Sequence, residues 1–211
     1  VWANFQRMEF LGDAAIDFCV ARYLFDRYPD LGPGELTDLK SAVVSNEAFA
    51  RIAVKHGMHK YLYARSVSMK REVDLYVQSL KEEDAVKGES TDSFQWLSER
   101  EAPKVLGDLF EAIAGAILVD AGLETVWNVY MKLLEETLRD RADPANFETH
   151  PVKVFQDFVM KVHRLSVGPP QYVVPRTMGA RRLMRADVYL HKVKVGSGEG
   201  TTKKRAMCRA A

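Results

Sequence analysis

The segment QRMEFLGDAAID, residues 6–17, carries the pattern on which the architecture of this chain depends. Its apolar residues recur at helical spacing and are predicted to face a core. They are Met8, Leu11 and Ala15, and Phe18 directly after the segment continues the series. In a helix, Glu9 and Asp13 lie one above the other at i, i+4 on another face. Stacked carboxylates repel, so this face needs water or a cation beside it, and the pattern alone leaves open a solvated acidic face or a metal site.

A second segment, PKVLGDLFEAIAGAI at residues 103–117, repeats the arrangement. Pro103 suits the first turn of a helix, where its missing N–H is harmless. Asp108 and Glu111 share one face at i, i+3, and the small residues Ala112 and Gly115 leave room near that face for a ligand or a second helix. The predicted core stripe on the other side consists of Leu106, Phe110, Ile113 and Ile117.

Two predicted core helices therefore each carry two carboxylates away from their own apolar stripe. No matching cluster of basic residues accompanies them. Four converging acids of this kind indicate a hard divalent cation such as Mg²⁺ or Mn²⁺, because carboxylate oxygens are its preferred ligands. The predicted metal ligands are Glu9, Asp13, Asp108 and Glu111.

The composition, with 47% hydrophobic and 28% charged residues, is typical of a soluble globular protein. Cys19 and Cys208 form neither a metal-binding spacing nor a disulfide framework, so we expect a reducing intracellular compartment, cytoplasm or nucleus. No apolar run approaches the length of a membrane span, and we expect no membrane partner. The five histidines lack ligand spacing, and no Ser/His/Asp or Cys/His arrangement stands out.

The net charge of +1 conceals a strong asymmetry. Residues 1–149 contain 17 Lys+Arg against 26 Asp+Glu, whereas residues 150–211 contain 13 against 3. An acidic module joined to a basic one indicates a nucleic-acid-binding part beside a part with another task. The alternative is that the basic segment docks on the acidic one.

The two acidic segments resemble the two signature motifs of the ribonuclease III family. The segments GELTDLKSAVVSN at residues 34–46 and HKY at residues 59–61 resemble in particular the second ribonuclease III domain of Dicer-type enzymes. The resemblance covers roughly the first two-thirds of the chain in several separated blocks. It implies an all-α ribonuclease III endonuclease domain over residues 1–142, and we expect the chain to be a segment of a longer protein.

The resemblance implies a metal-dependent endoribonuclease that hydrolyses double-stranded RNA to 5′-phosphate and 3′-hydroxyl ends, as in Dicer-type small-RNA production. It also implies one or two Mg²⁺ or Mn²⁺ ions per site. Glu9, Asp108 and Glu111 are then direct ligands, and Asp13 binds through water or orients the others. Lys104, one turn before Asp108, either stabilises phosphate charge or is a solvated lysine.

Two alternatives differ from this interpretation. One is a non-catalytic double-stranded-RNA-binding protein with the same fold, and the other is a bacterial-type RNA-processing ribonuclease III. The family works as a dimer, which implies a second ribonuclease III domain as partner: intramolecular in the full-length protein, or a homodimer in isolation. Phe10, Ala14 and Ile16, beside the acidic stripe, are the predicted contact residues.

Helix signals predict the rest of the first domain. The signature helix is predicted to start after Asn4 as N-cap and to end near Leu24 or Phe25. Asp38 and Asn46 could contact RNA or support the acids, and Asn46 could equally cap the helix that ends before Gly57. The other predicted elements are helices at Thr37–Ser45, Glu47–His56, 68–83 and Leu123–Arg141, and an irregular loop at Glu82–Ala102.

Turn residues predict a linker over residues 143–150, and the pattern changes after it. Val152–His163 is predicted as a helix, and Gln171–Arg176 and Arg185–Val195 alternate as half-buried strands do. Together with GEGTTKKRA at residues 198–206, this segment resembles a small α+β double-stranded-RNA-binding domain of order α-β-β-β-α over residues 151–211. It departs from the usual pattern in two ways: MGARR at residues 178–182 replaces the Gly-Pro-x-His loop, and the last helix is short. The implied RNA-binding residues are Gln156, Lys203, Lys204 and Arg205, the last three at a helix N-terminus where dipole and charge act together.

Overall fold

A computed structural model describes residues 4–63, 66–86, 101–142, 151–162, 169–174 and 183–211 of the chain. The chain divides into two compact units. The first comprises Val1–Ala85 and Ala102–Phe147, and the second comprises Val86–Glu101 and Glu148–Ala211. The predicted linker at residues 143–150 lies outside the described residues.

The described part of the first unit is helical, as predicted. Its elements are α1 (Phe5–Arg27), α2 (Pro33–Val43), α3 (Asn46–Lys55), a 3₁₀ helix (Met58–Tyr61), α4 (Val67–Val86) and α5 (Lys104–Arg141). Helix α4 continues into the first residues of the predicted loop at Glu82–Ala102, and residues 87–100 of that loop are outside the described part. No described helix combines the length and the apolar composition that a membrane crossing requires.

The helix ends follow from local capping, with one correction. The Asn4 side chain accepts a hydrogen bond from the Arg7 backbone nitrogen and caps α1, as predicted. The prediction that Asn46 caps α3 is wrong, because the Ser45 hydroxyl accepts from the Ala48 backbone nitrogen instead. Gly122, at φ 79°, interrupts α5, so the second half of this element begins at Leu123 as predicted.

The core face of α1 differs from the predicted stripe. Ala15 is buried as expected, but Phe18 is 54% exposed, and Ile16, a predicted partner contact, is fully buried. Apolar residues surround α1, so their spacing alone does not select the buried side. The buried residues of this helix are Gly12, Ala15, Ile16, Cys19, Val20 and Leu24.

The main core forms where α1, α3 and both halves of α5 meet. The Phe110 ring lies 4.9 Å from that of Phe49 and 4.8 Å from that of Tyr130, measured between centroids. The Tyr130 hydroxyl donates a 2.6 Å hydrogen bond to the Phe110 carbonyl oxygen, which satisfies a buried polar group and ties the two halves of α5 together. The apolar spacing of the second half of α5 predicts a core stripe of Val126, Tyr130, Leu133, Leu134 and Leu138, and all of these are buried here except Leu133, which is partly buried.

The second unit contains α6 (Pro151–Val162), β1 (Gln171–Val173), β2 (Met184–Leu190), β3 (Val193–Gly200) and α7 (Lys203–Ala210). The strands form an antiparallel sheet in the order β1-β2-β3. The predicted segment Arg185–Val195 is therefore not continuous, because the chain reverses at His191 and Lys192, whose φ values are 46° and 65°. The loop at residues 178–182 is outside the described part.

Glycines on β3 serve packing within this unit. A Cβ on Gly198 would lie 2.5 Å from the Ala210 backbone nitrogen, and one on Gly200 would lie 2.7 Å from that of Ala206. Both distances are too short for real atoms, so glycine is needed for α7 to rest directly on the strand.

Candidate metal centre

Helices α1 and α5 cross at two glycines. A Cβ on Gly12 would overlap the Glu111 carbonyl oxygen and lie 2.7 Å from the Gly115 nitrogen, and one on Gly115 would overlap the Met8 carbonyl oxygen. The backbones therefore touch at this crossing. The space predicted near Gly115 is filled by the second helix, and this contact brings the acidic residues of the two helices together.

Three of the four predicted acids converge beside the crossing. Carboxylate oxygens of Glu9, Asp108 and Glu111 lie within 4.8 Å of one another, and all three residues are partly buried. Asp13 follows Glu9 by one turn of α1 and is exposed. It lies outside this group, but its charge still acts on Glu111.

Burial and like charge make this cluster electrostatically unfavourable without a cation. The pKa of Glu111 is raised to about 7, mainly because the carboxyl is partly buried and next because Asp13 and Asp108 are nearby. Burial also raises the pKa of Asp108, and more strongly than its hydrogen bond from Lys104 lowers it. The pKa of Asp13 is raised by burial and by Asp17.

Lys104 is the cation that the structure places among these acids. Its Nζ donates to Asp108 Oδ1 at 2.5 Å and to Glu9 Oε1 at 3.1 Å. These hydrogen bonds raise the pKa of Lys104, although 76% of its side chain is exposed. Lys104 therefore bridges one carboxylate of each helix.

The donor set fits a hard divalent cation. Three carboxylates from two rigid helices offer oxygen ligands only, which suit Mg²⁺ or Mn²⁺ better than a soft metal. Burial, and after it the neighbouring carboxylates, raises the pKa of Glu111, and burial raises that of Asp108 against the opposing effect of Lys104, so a bound cation would favour the ionised form of both.

Two supporting residues lie beside the cluster. Lys40 Nζ donates to Asp17 Oδ2 at 2.6 Å, and its charge opposes part of the rise in the pKa of nearby Asp13. Lys40 was not among the predicted residues, because a contact across 23 residues leaves no local spacing signal in the sequence. For Asn46 the sequence allowed RNA contact, support of the acids or helix capping. In the structure its Nδ2 donates to the Ala102 carbonyl oxygen at 3.1 Å, just before the start of α5.

The predicted RNA-binding residues of the second unit differ in exposure. Lys203 and Lys204 are exposed in the first turn of α7, which Thr202 caps by accepting a hydrogen bond from the Arg205 backbone nitrogen. Gln156 is exposed on α6. The Arg205 side chain is only 7% exposed, so its burial does not fit the predicted contact with RNA phosphates.

The chain is similar in sequence to known ribonucleases. The family model described as "Ribonuclease III domain" matches residues 6–122. The chain is 38% identical over 209 residues to Endoribonuclease Dicer homolog 1 of Oryza sativa subsp. japonica, covering 98% of this chain and 10% of that protein. It is also 38% identical over 176 residues to Endoribonuclease Dicer of Xenopus tropicalis, covering 80% of this chain and 9% of that protein.

Among solved structures, the nuclease domain of ribonuclease III from Campylobacter jejuni is similar at a TM-score of 0.47 and 28% identity, covering 63% of this chain and 75% of that one. The chain spans about a tenth of the length of the curated relatives that it matches.

Proposed function

The chain belongs to the ribonuclease III domain family, and from this we propose that it is a divalent-metal-dependent endoribonuclease that hydrolyses double-stranded RNA. The proposed products carry 5′-phosphate and 3′-hydroxyl ends. The observation that carries the proposal is the convergence of Glu9, Asp108 and Glu111 within 4.8 Å.

These three carboxylates would hold one or two Mg²⁺ or Mn²⁺ ions. Asp13 would bind an ion through a water molecule or orient the other three carboxylates. When bound, such ions supply activation of the attacking water and stabilisation of charge on the departing oxygen. The residues of the chain provide a fixed frame for this chemistry. The backbone contact at Gly12 and Gly115 holds two helices rigidly, and each contributes acids to one place.

Lys104 has a separate role in the proposal. Its ammonium group already bridges Glu9 and Asp108, so it lies beside the ligand oxygens and remains mostly exposed. In this position it would neutralise charge on the scissile phosphate of an approaching RNA.

A second ribonuclease III domain is the proposed protein partner. Helix α1 exposes an apolar stripe whose aromatic members are Phe10, Phe18 and Phe25, at 79%, 54% and 67% exposure, with Ala14 between the first two. A contiguous apolar stripe in water is typical of a protein contact. The partner domain belongs to the same longer polypeptide or is a second copy of this chain.

The biological setting of the proposal follows the relatives. Several of them are named endoribonuclease Dicer, and small-RNA production of the Dicer type is our proposal for this chain. Cys19 and Cys208 are both buried and are not joined by a disulfide, consistent with the proposed reducing compartment, cytoplasm or nucleus.

The second unit is proposed to bind double-stranded RNA. Lys203 and Lys204 stand exposed at the N-terminus of α7, where the helix dipole adds to their positive charge, and Gln156 is exposed on α6. Such contacts with phosphates hold a duplex without reading its sequence.

The testing experiment is cleavage of a long labelled RNA duplex with Mg²⁺, beside an EDTA control. The Asp108→Asn protein should lose cleavage, and Asp120→Asn, an exposed change on the same helix, serves as the matched control that retains it. If the wild-type chain binds the duplex but leaves it intact with Mg²⁺ and Mn²⁺, even after a second ribonuclease III domain is added, the chain is a binding module and the proposal fails.

A further inference from the structure

The stretch from residue 48 to residue 71 is basic in an otherwise acidic part of the chain. It contains six Lys+Arg and no Asp or Glu, although residues 1–149 hold 26 acids. Acids resume at Glu72 and Asp74 on α4. Arg51 and Lys55 form ion pairs with acids outside this run, so the positive charge that can favour an anionic ligand lies on its later basic residues.

Two tyrosines in this stretch are almost completely exposed. Tyr61 is 88% exposed and Tyr63 is 90% exposed, the highest values for large hydrophobic side chains in the described part of the chain. Single exposed apolar side chains are common on protein surfaces. Two neighbouring rings that leave this much surface in water, inside a basic run, indicate a site for a ligand with aromatic groups.

Tyr61 and Tyr63 lie where the chain leaves the 3₁₀ helix. Tyr61 is the last residue of that helix, and Leu62 between the two tyrosines is extended, with φ −73° and ψ 117°. Both exposed rings therefore belong to one short segment, and each offers an aromatic surface on which an unpaired base can stack.

Leu62 also fixes where this pair lies in the first unit. It packs against a small cluster of buried apolar side chains that includes Tyr76, Ala102 and Leu106. Leu106 precedes Asp108 by two residues on α5. Leu62, between the two tyrosines, therefore packs against the N-terminal part of α5, which also carries Asp108.

Basic side chains accompany the pair. Lys60 is adjacent to Tyr61, and Lys70 and Arg71 follow on α4. All three are exposed, and none forms an ion pair with another described residue. They are therefore available to phosphate groups.

We propose that Tyr61 and Tyr63 form a stacking site for an unpaired nucleotide of the RNA substrate, with Lys60, Lys70 and Arg71 contacting its phosphates. The bases of a duplex are stacked on each other, so only unpaired bases next to the duplex can enter such a site. Stacking on aromatic rings with basic side chains along the backbone is how proteins hold single strands without sequence preference. The inference rests on the proposed function and adds a substrate feature to it.

The test compares binding of two RNA probes by the whole chain in EDTA, so that bound RNA stays intact. One probe is a blunt duplex, and the other is the same duplex with a single-stranded extension whose first unpaired base is 2-aminopurine. The wild-type chain should bind the extended duplex about ten-fold more tightly, given the usual contribution of one stacked base, and should quench the 2-aminopurine fluorescence.

Three variants isolate the rings. Tyr61→Leu/Tyr63→Leu keeps apolar area but removes both rings, and it should lose the preference and the quenching. Tyr61→Phe/Tyr63→Phe keeps the rings and should retain both signals. Val67→Ala, at an exposed position of α4, is the matched control and should behave as the wild type.

The possible failures are distinguishable. Absence of the preference in a wild-type chain that cleaves duplex RNA overturns the stacking site and leaves the proposed function intact. If the double leucine variant weakens both probes equally, the rings contact duplex or support the fold, and the inference is wrong. If that variant changes only the sedimentation of the chain, the tyrosines belong to a protein contact, which also overturns it. Failure to bind either probe rejects the proposed function itself.

Discussion

The side-chain amide of Asn46 occupies the space that a side chain at position 107 would need. A Cβ on Gly107 would overlap Asn46 Oδ1 and lie 3.2 Å from its Cγ, while Asn46 Nδ2 donates to the Ala102 carbonyl oxygen at 3.1 Å. One residue of α3 thereby fixes the start of the helix that carries Lys104 and Asp108. Glycine inside a helix normally costs about 1 kcal/mol relative to alanine, and this contact explains its presence.

This relationship predicts strong coupling between the two positions. Gly107→Ala alone should lower the free energy of unfolding by about 1–3 kcal/mol through overpacking. In an Asn46→Ala background the clash is gone, so the same change should become neutral or stabilising. Urea unfolding of the four proteins measures the cycle. An equal cost of Gly107→Ala in both backgrounds would contradict the packing argument.

Substitution of Gly12, at the crossing of α1 and α5, should destabilise the protein more than substitution of Gly107. A Cβ on Gly12 meets backbone atoms of Glu111 and Gly115, which cannot turn aside as a side chain can. Gly12→Ala should therefore cost about 3 kcal/mol or more, and it should weaken Mn²⁺ binding because Glu9 moves away from Glu111. Gly34→Ala is the matched control, since nothing lies within 4 Å of its Cβ position and the change should leave stability equal or higher. Thermal unfolding and a Mn²⁺ titration give the comparison.

The outcome for α1 and α5 shows what spacing can predict. The placement of two acids on one face of each helix follows from i, i+3 and i, i+4 geometry, and the structure has these helices. The convergence of Glu9 with Asp108 and Glu111 depends on contact between residues a hundred positions apart, which spacing cannot give. From the sequence, this convergence was inferred from the matching acidic faces of the two helices and from the resemblance to the ribonuclease III family.

The errors have local causes. Because apolar residues occur on several faces of α1, the spacing fitted a stripe through Phe18 as well as the buried stripe through Ile16. Ser45 and Asn46 are both good caps, and only the backbone geometry chooses between them. The hairpin turn at His191 and Lys192 uses positive φ at residues that are poor signals for it, since glycine and asparagine usually mark such turns.

Lys104 is predicted to oppose metal binding and support cleavage. Its ammonium group bridges Glu9 and Asp108 and competes with a cation for the same oxygens. Lys104→Gln should therefore bind Mg²⁺ more tightly in calorimetry, yet cleave duplex RNA about ten-fold or more slowly at saturating metal. Lys132→Gln, an exposed change on the same helix, is the control and should alter neither quantity. Weaker metal binding with normal cleavage would mean that Lys104 only steadies the acids.

The exposed stripe of α1 is predicted to mediate self-association. Phe10 is 79% exposed, so Phe10→Asp should change stability by less than about 0.5 kcal/mol but place a charge inside the contact. Analytical ultracentrifugation should show a shift from dimer to monomer. Val67→Asp, 87% exposed on α4, should keep the dimer. The same distribution of masses for wild type and both variants would show that the stripe is not the contact.

Glu111 is predicted to make the metal-free protein less stable as pH rises. Its pKa is about 7 in the folded chain against an ordinary value of 4.5, because burial and the charges of Asp13 and Asp108 disfavour the carboxylate. A raised folded-state pKa gives a contribution that is complete below about pH 4.5 and is lost as pH rises to about 7. Glu111→Gln lacks this loss, so in EDTA at pH 8 it should melt above the wild type, and the difference should shrink towards pH 4.5. Added Mg²⁺ at pH 8 should reverse the order, because the wild-type carboxylate gains a ligand that the amide holds poorly. A difference in melting temperature that stays constant from pH 4.5 to pH 8 would show that the pKa of Glu111 is not raised in the folded protein.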